Sequence, residues 1–345
     1  MLRSFWGELC GHVRIPKNAR TAKMRAMTAK AFGGYADLKL TDLPKPNAGE
    51  GRVLVRITAA GVTPLDHTIL SGQFPLANPP LVLGNEGAGV VEEGDEEIPT
   101  GTRVMFTGPY GVFENGTYSE YVAVKKEYLC VIPAGISDTT AAGLPIAYLT
   151  AYLALSDAGF EKGKSVLAPA IGGSVGNAAT QLARAMGAKH AISTTTNPAK
   201  AKQAEELGFD EIVDLSKESL ADGIRRLTDG YGVDIVIDGI GGDVLSEALG
   251  ALAQGGSLTS LGYSAGRKST IDVTNLIWKG ASIRSFLLFS KSPADWAKAW
   301  TTIIPLLASG QVVPVIAKTF SLEEAPEALR YLVEERPFGR VILTL

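Results

Sequence analysis

Cysteine is nearly absent: Cys10 and Cys130 are the only two in the chain. Two thiols exclude a disulfide scaffold and suit a reducing, cytoplasmic setting. Histidine is as scarce, and His12, His67 and His190 are too scattered to make a metal cluster. No apolar run approaches the roughly 18 residues of a membrane span, so no membrane partner is expected. Charge is nearly balanced at −3 and no basic face stands out, which removes nucleic acid as the default partner. What abounds is glycine, 39 residues of it, as many tight turns between short elements require. Apolar residues make up 46%, enough core for about two domains at roughly 150 residues each.

Residues 1–23 stand apart. Arg3, Arg14, Lys17, Arg20 and Lys23 face a single acid, Glu8. An Arg-rich, acid-poor start is similar to an organelle transit peptide, but the plainer reading is an N-terminal extension ahead of a domain beginning near Met24. The absence of a long apolar h-region argues against a secretory signal.

From residue 25 to about 124 the pattern is β-like. Residues 52–59 alternate as R-V-L-V-R-I-T-A, with Val53, Val55 and Ile57 on one side. Residues 84–91 and 102–106 are further short strands. From about residue 141 the texture changes. Residues 141–158 are apolar at helical spacing, and strands are expected at 166–168, 191–194, 211–215, 234–238 and 257–261, with a helix at 199–207. Strands alternating with helices predict an α/β fold with a doubly wound parallel sheet. The tail adds a segment at 312–320, a helix over 322–334 and a strand at 340–345.

The most telling stretch is residues 165–187, S-V-L-A-P-A-I-G-G-S-V-G-N-A-A-T-Q-L-A-R-A-M-G. A short apolar strand stops at Pro169, a glycine turn follows, and Val175, Ala179, Leu182, Ala183 and Met186 recur at helical spacing. That order presents helix N-terminal amides to a pyrophosphate. The candidate cofactor residues are Ala170, Gly172, Gly173, Ser174, Val175 and Gly176. The same order also serves a ligand-free strand-to-helix turn; the strand–helix units downstream favour the cofactor. A carboxylate at the end of the next strand would bind a ribose 2′-hydroxyl. Here stand Ser193, Thr194, Thr195 and Thr196, then Lys200, which suit a 2′-phosphate and point to NADPH. The bland alternative is a polar loop with a solvated lysine.

Several blocks now carry a family likeness: residues 59–66 (A-A-G-V-T-P-L-D), 83–91 (L-G-N-E-G-A-G-V-V), 116–124 (G-T-Y-S-E-Y-V-A-V), 232–242 (G-V-D-I-V-I-D-G-I-G-G) and 279–283 (K-G-A-S-I). Over residues 24–345 the chain resembles the medium-chain dehydrogenase/reductase superfamily, in its zinc-free quinone oxidoreductase branch. The resemblance implies a GroES-like β-rich catalytic domain at 24–148 and a Rossmann NADP-binding domain at 149–287, with 288–345 returning to the first. Substrate and nicotinamide would lie between them. It also implies that Thr150 lies near the nicotinamide and that Gly262 and Tyr263 run along the cofactor. One departure is Leu215 after Asp214, where relatives often carry a tyrosine near the adenosine phosphate.

Zinc enzymes of the superfamily hold catalytic zinc with Cys, His and Cys. The corresponding positions here are Thr63, Asn85 and Ile146, none a good zinc ligand. No metal is therefore expected. The resemblance then implies a cytoplasmic NADPH-dependent reductase of quinones or activated enones, usually a homodimer paired through the Rossmann domain. Thr63 would offer a hydroxyl to the substrate oxygen, where relatives commonly have Asn. Tyr110 or Tyr118 would offer a phenol, with packing the competing role, and Thr68 and Phe74 are pocket-wall candidates. An enoyl-thioester reductase and a non-catalytic NADPH-binding sensor are the alternatives. Residues 282–289, S-I-R-S-F-L-L-F, serve either a dimer edge or a last core strand followed by cleft lining.

Overall fold

A computed structural model describes residues 22–345, so the expected extension lies outside the described residues except for its last two. The first half supplies β1 (Lys23–Ala29), β2 (Leu38–Pro44), β3 (Arg52–Val62), β4 (Leu81–Val82), β5 (Glu86–Glu93), β6 (Arg103–Thr107), β7 (Tyr121–Lys125) and β8 (Leu129–Val131). Three helices accompany them: α1 (Pro64–Leu70), α2 (Asp138–Ala142) and α3 (Pro145–Asp157). β3 is the hub. Its first residues pair antiparallel with β7 and its middle with β5. Val53, Val55 and Ile57 pack together against Val91, Val104 and Phe106, as the alternation predicts.

The second half alternates strand and helix: β9 (Ser165–Ala168), α4 (Ser174–Ala185), β10 (His190–Thr195), α5 (Pro198–Glu206), β11 (Ile212–Asp214), α6 (Leu220–Leu227), β12 (Val233–Asp238), α7 (Gly242–Gly250), β13 (Leu252–Ser260), α8 (Val273–Lys279) and β14 (Ser282–Ser285). These six strands are parallel, in the order β11-β10-β9-β12-β13-β14. That is the doubly wound Rossmann arrangement, with its switch point between β9 and β12. The tail adds α9 (Pro293–Ala308), β15 (Ile316–Ser321), α10 (Ala325–Arg330) and β16 (Arg340–Thr344). β16 pairs with the last residues of β3, Val341 opposite Val62, so the end of the chain joins the first sheet.

Two helical expectations need correction. Residues 141–158 form two helices, because Gly143 ends α2 and Pro145 starts α3 at a position where its missing N–H costs nothing. Residues 322–334 are a 3-10 turn, the short α10 and a π-type turn, closed by Arg336 at φ 47°. The extended run expected at 312–320 becomes a strand only from Ile316. α3 is apolar nearly all round, and is accordingly buried on most of its surface. One core runs through it, joining Ala59, Ala88 and Met105 of the first sheet to Val166, Ile235 and Ile237 of the second. This shared core sets the two sheets against each other and defines the cleft.

Candidate functional site: a glycine turn facing a buried polar cluster

The glycine turn is built by space rather than by positive φ. Gly176 has no left-handed φ, but a Cβ there would lie 2.3 Å from the Pro169 carbonyl and 2.5 Å from that of Ala170. The strand end and the first turn of α4 can approach only through glycine. Ala170 takes the left-handed conformation itself, at φ 66°. Gly173 caps α4 without a side-chain bond, so the first-turn amides of Ser174, Val175 and Gly176 carry no side-chain cap. That is a helix N-terminus open to an anion.

The hydroxyls expected at a 2′-phosphate are otherwise engaged. Ser193 is fully buried and donates to the Ala168 carbonyl at 2.5 Å. Thr194 accepts from the Ala170 amide at 3.1 Å, so it shapes the glycine turn from behind. Thr195 accepts from the Asn197 amide at 3.1 Å and shapes the start of α5. All three side chains are buried; Ser193 gives its proton to the chain, which corrects it to a support of the turn, whereas Thr194 and Thr195 accept from amides.

The cations survive this sorting. The Lys200 aliphatic stem lies 3.6 Å from where a Gly172 Cβ would stand, and its ammonium donates to the Arg336 carbonyl. Burial lowers the Lys200 pKa, and the neighbouring Arg336 charge lowers it further. Neither cation has an acidic partner among the described residues. Arg336 has no sequence signal: it is far from Lys200 along the chain and arrives only through the tail.

In the β-rich half, Thr63 caps α1 in a T-P-L-D capping box. Its hydroxyl donates to the Asp66 carboxylate at 2.8 Å, and the Asn85 amide donates to it at 3.0 Å. Asp66 also accepts from the Thr63 amide (2.9 Å), the Gly84 amide (3.0 Å) and the Tyr118 phenol (3.2 Å). Burial raises the Asp66 carboxyl, against these four donors. One hydroxyl carries one proton, and Thr63 directs it to Asp66; Asn85 retains a second N–H. The role expected of Thr63 as direct donor is therefore in competition with its own neighbour. Glu86, next in line, is fully buried and accepts from Arg340 and from the Ile146 amide at 2.7 Å. Burial pushes its carboxyl up, opposed by Arg340. Thr63 and Asn85 thus meet, and Ile146 reaches the next residue, Glu86, through its backbone amide.

Tyr110 does not converge with them. It is packed edge-on against Phe106 and Tyr128 at 5.5 and 6.1 Å, inside the first sheet's own core. Its phenol accepts from the Lys125 amide at 2.9 Å, and burial pushes its pKa up. The catalytic assignment of Tyr110 is corrected to a packing role; Tyr118 is the phenol on the polar cluster. Thr150 is buried on α3, the helix of the shared core. Gly262 and Tyr263 follow β13, and a Cβ on Gly262 would lie 2.4 Å from the Gly239 carbonyl. Both line a cavity of about 400 Å³ with Gly241, Arg267 and Phe286. Asp238 holds the facing turn by accepting from the Ile240 and Gly241 amides at 2.9 and 3.1 Å.

The two described histidines are committed elsewhere, His67 beside the Tyr35 ring and His190 on Glu211. Burial pushes the Cys130 thiol up to about 12. Among the described residues no group of three or more His, Cys, Asp or Glu stands together. Nor, among them, is any helix long and apolar enough to cross a membrane.

Open helix N-terminus, glycine cradle and switch-point crevice define the class: a dinucleotide-binding α/β oxidoreductase with an attached β-rich domain. Comparison with known proteins agrees. Residues 174–304 match the family model described as zinc-binding dehydrogenase, and residues 49–134 match the alcohol dehydrogenase GroES-like domain. A quinone oxidoreductase of Pseudomonas aeruginosa is 31% identical, covering 91% of this chain and 97% of that protein. The solved quinone oxidoreductase of Thermus thermophilus, described with its NADPH complex, superposes with a TM-score of 0.81 at 32% identity over 93% of this chain and 100% of that one. The chain belongs to the medium-chain dehydrogenase/reductase superfamily, in its quinone oxidoreductase-like branch. A mycoketide-CoA synthase of Mycobacterium tuberculosis is also 31% identical over 97% of this chain, which spans only 8% of that much longer protein.

Proposed function

We propose that the protein reduces a quinone or an enone with NADPH, without zinc. The observation that carries the cofactor half is the Lys200 side chain beside the glycine turn, with the Arg336 charge near enough to act on it and no acidic partner for either among the described residues. The missing Cβ of Gly176 lets the strand end close on the first turn of α4, the close approach a dinucleotide turn needs. When bound, NADPH supplies a hydride at nicotinamide C4. The protein's part is to bind, orient and exclude water. The amides of Ser174, Val175 and Gly176 would hold the pyrophosphate, and Lys200, with the Arg336 charge near it, would hold the 2′-phosphate. Thr63, Asn85 and Ile146 are a poor donor set for zinc, so a carbonyl oxygen would be polarised by an N–H or O–H donor instead. Asn85 and Thr63 are both buried against Asp66, so together they hold the Pro64–Leu70 helix start and the Gly84 turn in place beside the site. In reduction of an enone the hydride would go to the β carbon, and a proton from solvent would complete the carbon beside the carbonyl.

The test is NADPH oxidation against a panel of quinones and short enones. Turnover supports the reading. Tight NADPH binding with no turnover on any member favours a sensor, and comparable kcat/KM with NADH removes the NADPH preference. Stoichiometric zinc lost together with activity on chelation refutes the metal-free mechanism.

The expected partner is a second copy. β14 is the outer strand of the parallel sheet and all four of its residues are exposed. Beside it α8 exposes Ile277 and Trp278, at 69% and 75%. An unpaired edge flanked by apolar side chains supports strand pairing between two copies. Of the stretch 282–289, the first half is this edge, whereas Phe286 lines the cavity and Leu288 is core.

A further inference from the structure

The cavity of about 400 Å³ opens at the C-terminal ends of β12, β13 and β14, and among the described residues Arg267 is the only charged one in its wall. The remaining wall is bare backbone at Gly241 and Gly262, apolar at Leu245, Leu261 and Phe286, with two serine hydroxyls. Arg267 stands on a tethered loop. Gly266 bridges to Gly241, and the Ala265 amide donates to the Ile240 carbonyl at 2.9 Å. The guanidinium lies 5.3 Å over the Tyr263 ring and donates to the Gln73 side-chain oxygen at 3.2 Å, across the mouth of the cleft. Gln73 is neutral, and no carboxylate pairs with Arg267 or Lys268 among the described residues. A guanidinium carries five N–H donors in a planar fork suited to a carboxylate or phosphate. Here one amide oxygen engages that fork and its charge is uncompensated.

The position also separates this cation from Lys200. In the order β11-β10-β9-β12-β13-β14, Lys200 follows β10 and Arg267 follows β13, three strands away. At about 4.8 Å per strand that is roughly 14 Å, so the two cations do not meet on one phosphate group.

We propose that Arg267 is the specificity-determining residue for an acceptor that carries a carboxylate or phosphate remote from its reacting double bond. This rests on the enone-reductase reading and narrows its substrate class. The oxyanion has two sources, the acceptor or the cofactor's own phosphates, and the proposal commits to the acceptor. Loss of one charge-assisted bond at an exposed site is worth roughly a tenfold change in affinity.

Matched pairs test it: 3-benzoylacrylate against its methyl ester, and crotonyl-CoA against crotonyl-pantetheine. Arg267→Ala is expected to raise KM about tenfold for the anionic member and to leave the neutral member and the NADPH Kd within about twofold. Arg267→Lys should restore part of the difference. An equal effect on both members overturns the proposal, as does a weakened NADPH Kd with the pair unaffected, which assigns the oxyanion to the cofactor. Calorimetry of 3-benzoylacrylate on the NADP⁺-loaded protein gives a readout free of turnover. Binding lost in Arg267→Ala supports the proposal, and binding absent or unchanged overturns it. Failure of the enone reading shows separately, as a neutral ester that is never reduced.

Discussion

Substituting Gly176 by Ala tests the cofactor cradle at its tightest point. The added Cβ would stand 2.3 Å from one backbone oxygen and 2.5 Å from another, where real Cβ atoms stay beyond 3.0 Å. Relief needs a shift of at least 0.7 Å, the difference between 2.3 and 3.0 Å, and the obstacles are backbone rather than flexible side chains. Overpacking of this kind costs about 1–3 kcal/mol, or about 1–4 °C in Tm for a chain of this size. The same shift moves the amides aimed at the pyrophosphate, so NADPH affinity should fall by roughly 100-fold, as expected for misplaced charge-assisted donors. Two neighbours grade the argument. At Gly173 the nearest atom is 3.2 Å away and at Gly172 it is 3.6 Å. Gly173→Ala should therefore be intermediate, and Gly172→Ala should leave Tm unchanged. Thermal melts with and without NADPH, together with quenching of protein fluorescence for Kd, read all three. A Gly176→Ala protein with unchanged Tm and Kd refutes the reasoning, as does a series in which Gly172→Ala is the most damaging.

Three further outcomes follow from the same geometry, and a fourth from the buried ion pair. Lys200→Ala with Arg336→Ala should weaken NADPH by roughly 10- to 100-fold and leave NADH unchanged, since each removes a charge-assisted phosphate bond; equal losses on both cofactors would contradict this. Because burial lowers the Lys200 pKa, the ammonium loses its proton before an ordinary lysine does, so wild-type NADPH affinity should decline as pH rises toward that value, and Lys200→Arg should flatten the profile. Ile283→Glu places a charge on the exposed edge of β14 and should convert a dimer to a folded monomer by light scattering, whereas a monomeric wild type removes the dimer proposal. Glu86→Gln leaves the buried Arg340 uncompensated and should cost about 3–5 kcal/mol in urea unfolding, with Glu86→Gln/Arg340→Met recovering much of it.

Local order along the chain was legible without coordinates. Alternation in β3, the apolar strand before Pro169, the glycine turn and the helical spacing after it all depend on neighbours a few residues apart. The alternating strands and helices of the second half also announced a parallel sheet. The same locality explains why the zinc-ligand positions were readable: Thr63 and Asn85 sit in short distinctive blocks.

Tertiary structure decided which side chains are free to act. Ser193 has the right chemistry for a phosphate, but burial turns its hydroxyl onto the Ala168 carbonyl, while Thr194 and Thr195 accept amides of the glycine turn and of the start of α5. Tyr110 has a usable phenol, and packing against Phe106 and Tyr128 removes it from the cleft. Arg336 reaches Lys200 only because β16 pairs with β3 and brings the tail back, and Arg267 reaches Gln73 only across the cleft. Hydrogen-bond commitment and long-range pairing depend on the whole packed chain, so the sequence determined the fold class and the nucleotide turn, while three-dimensional packing selected the residues left to meet a ligand.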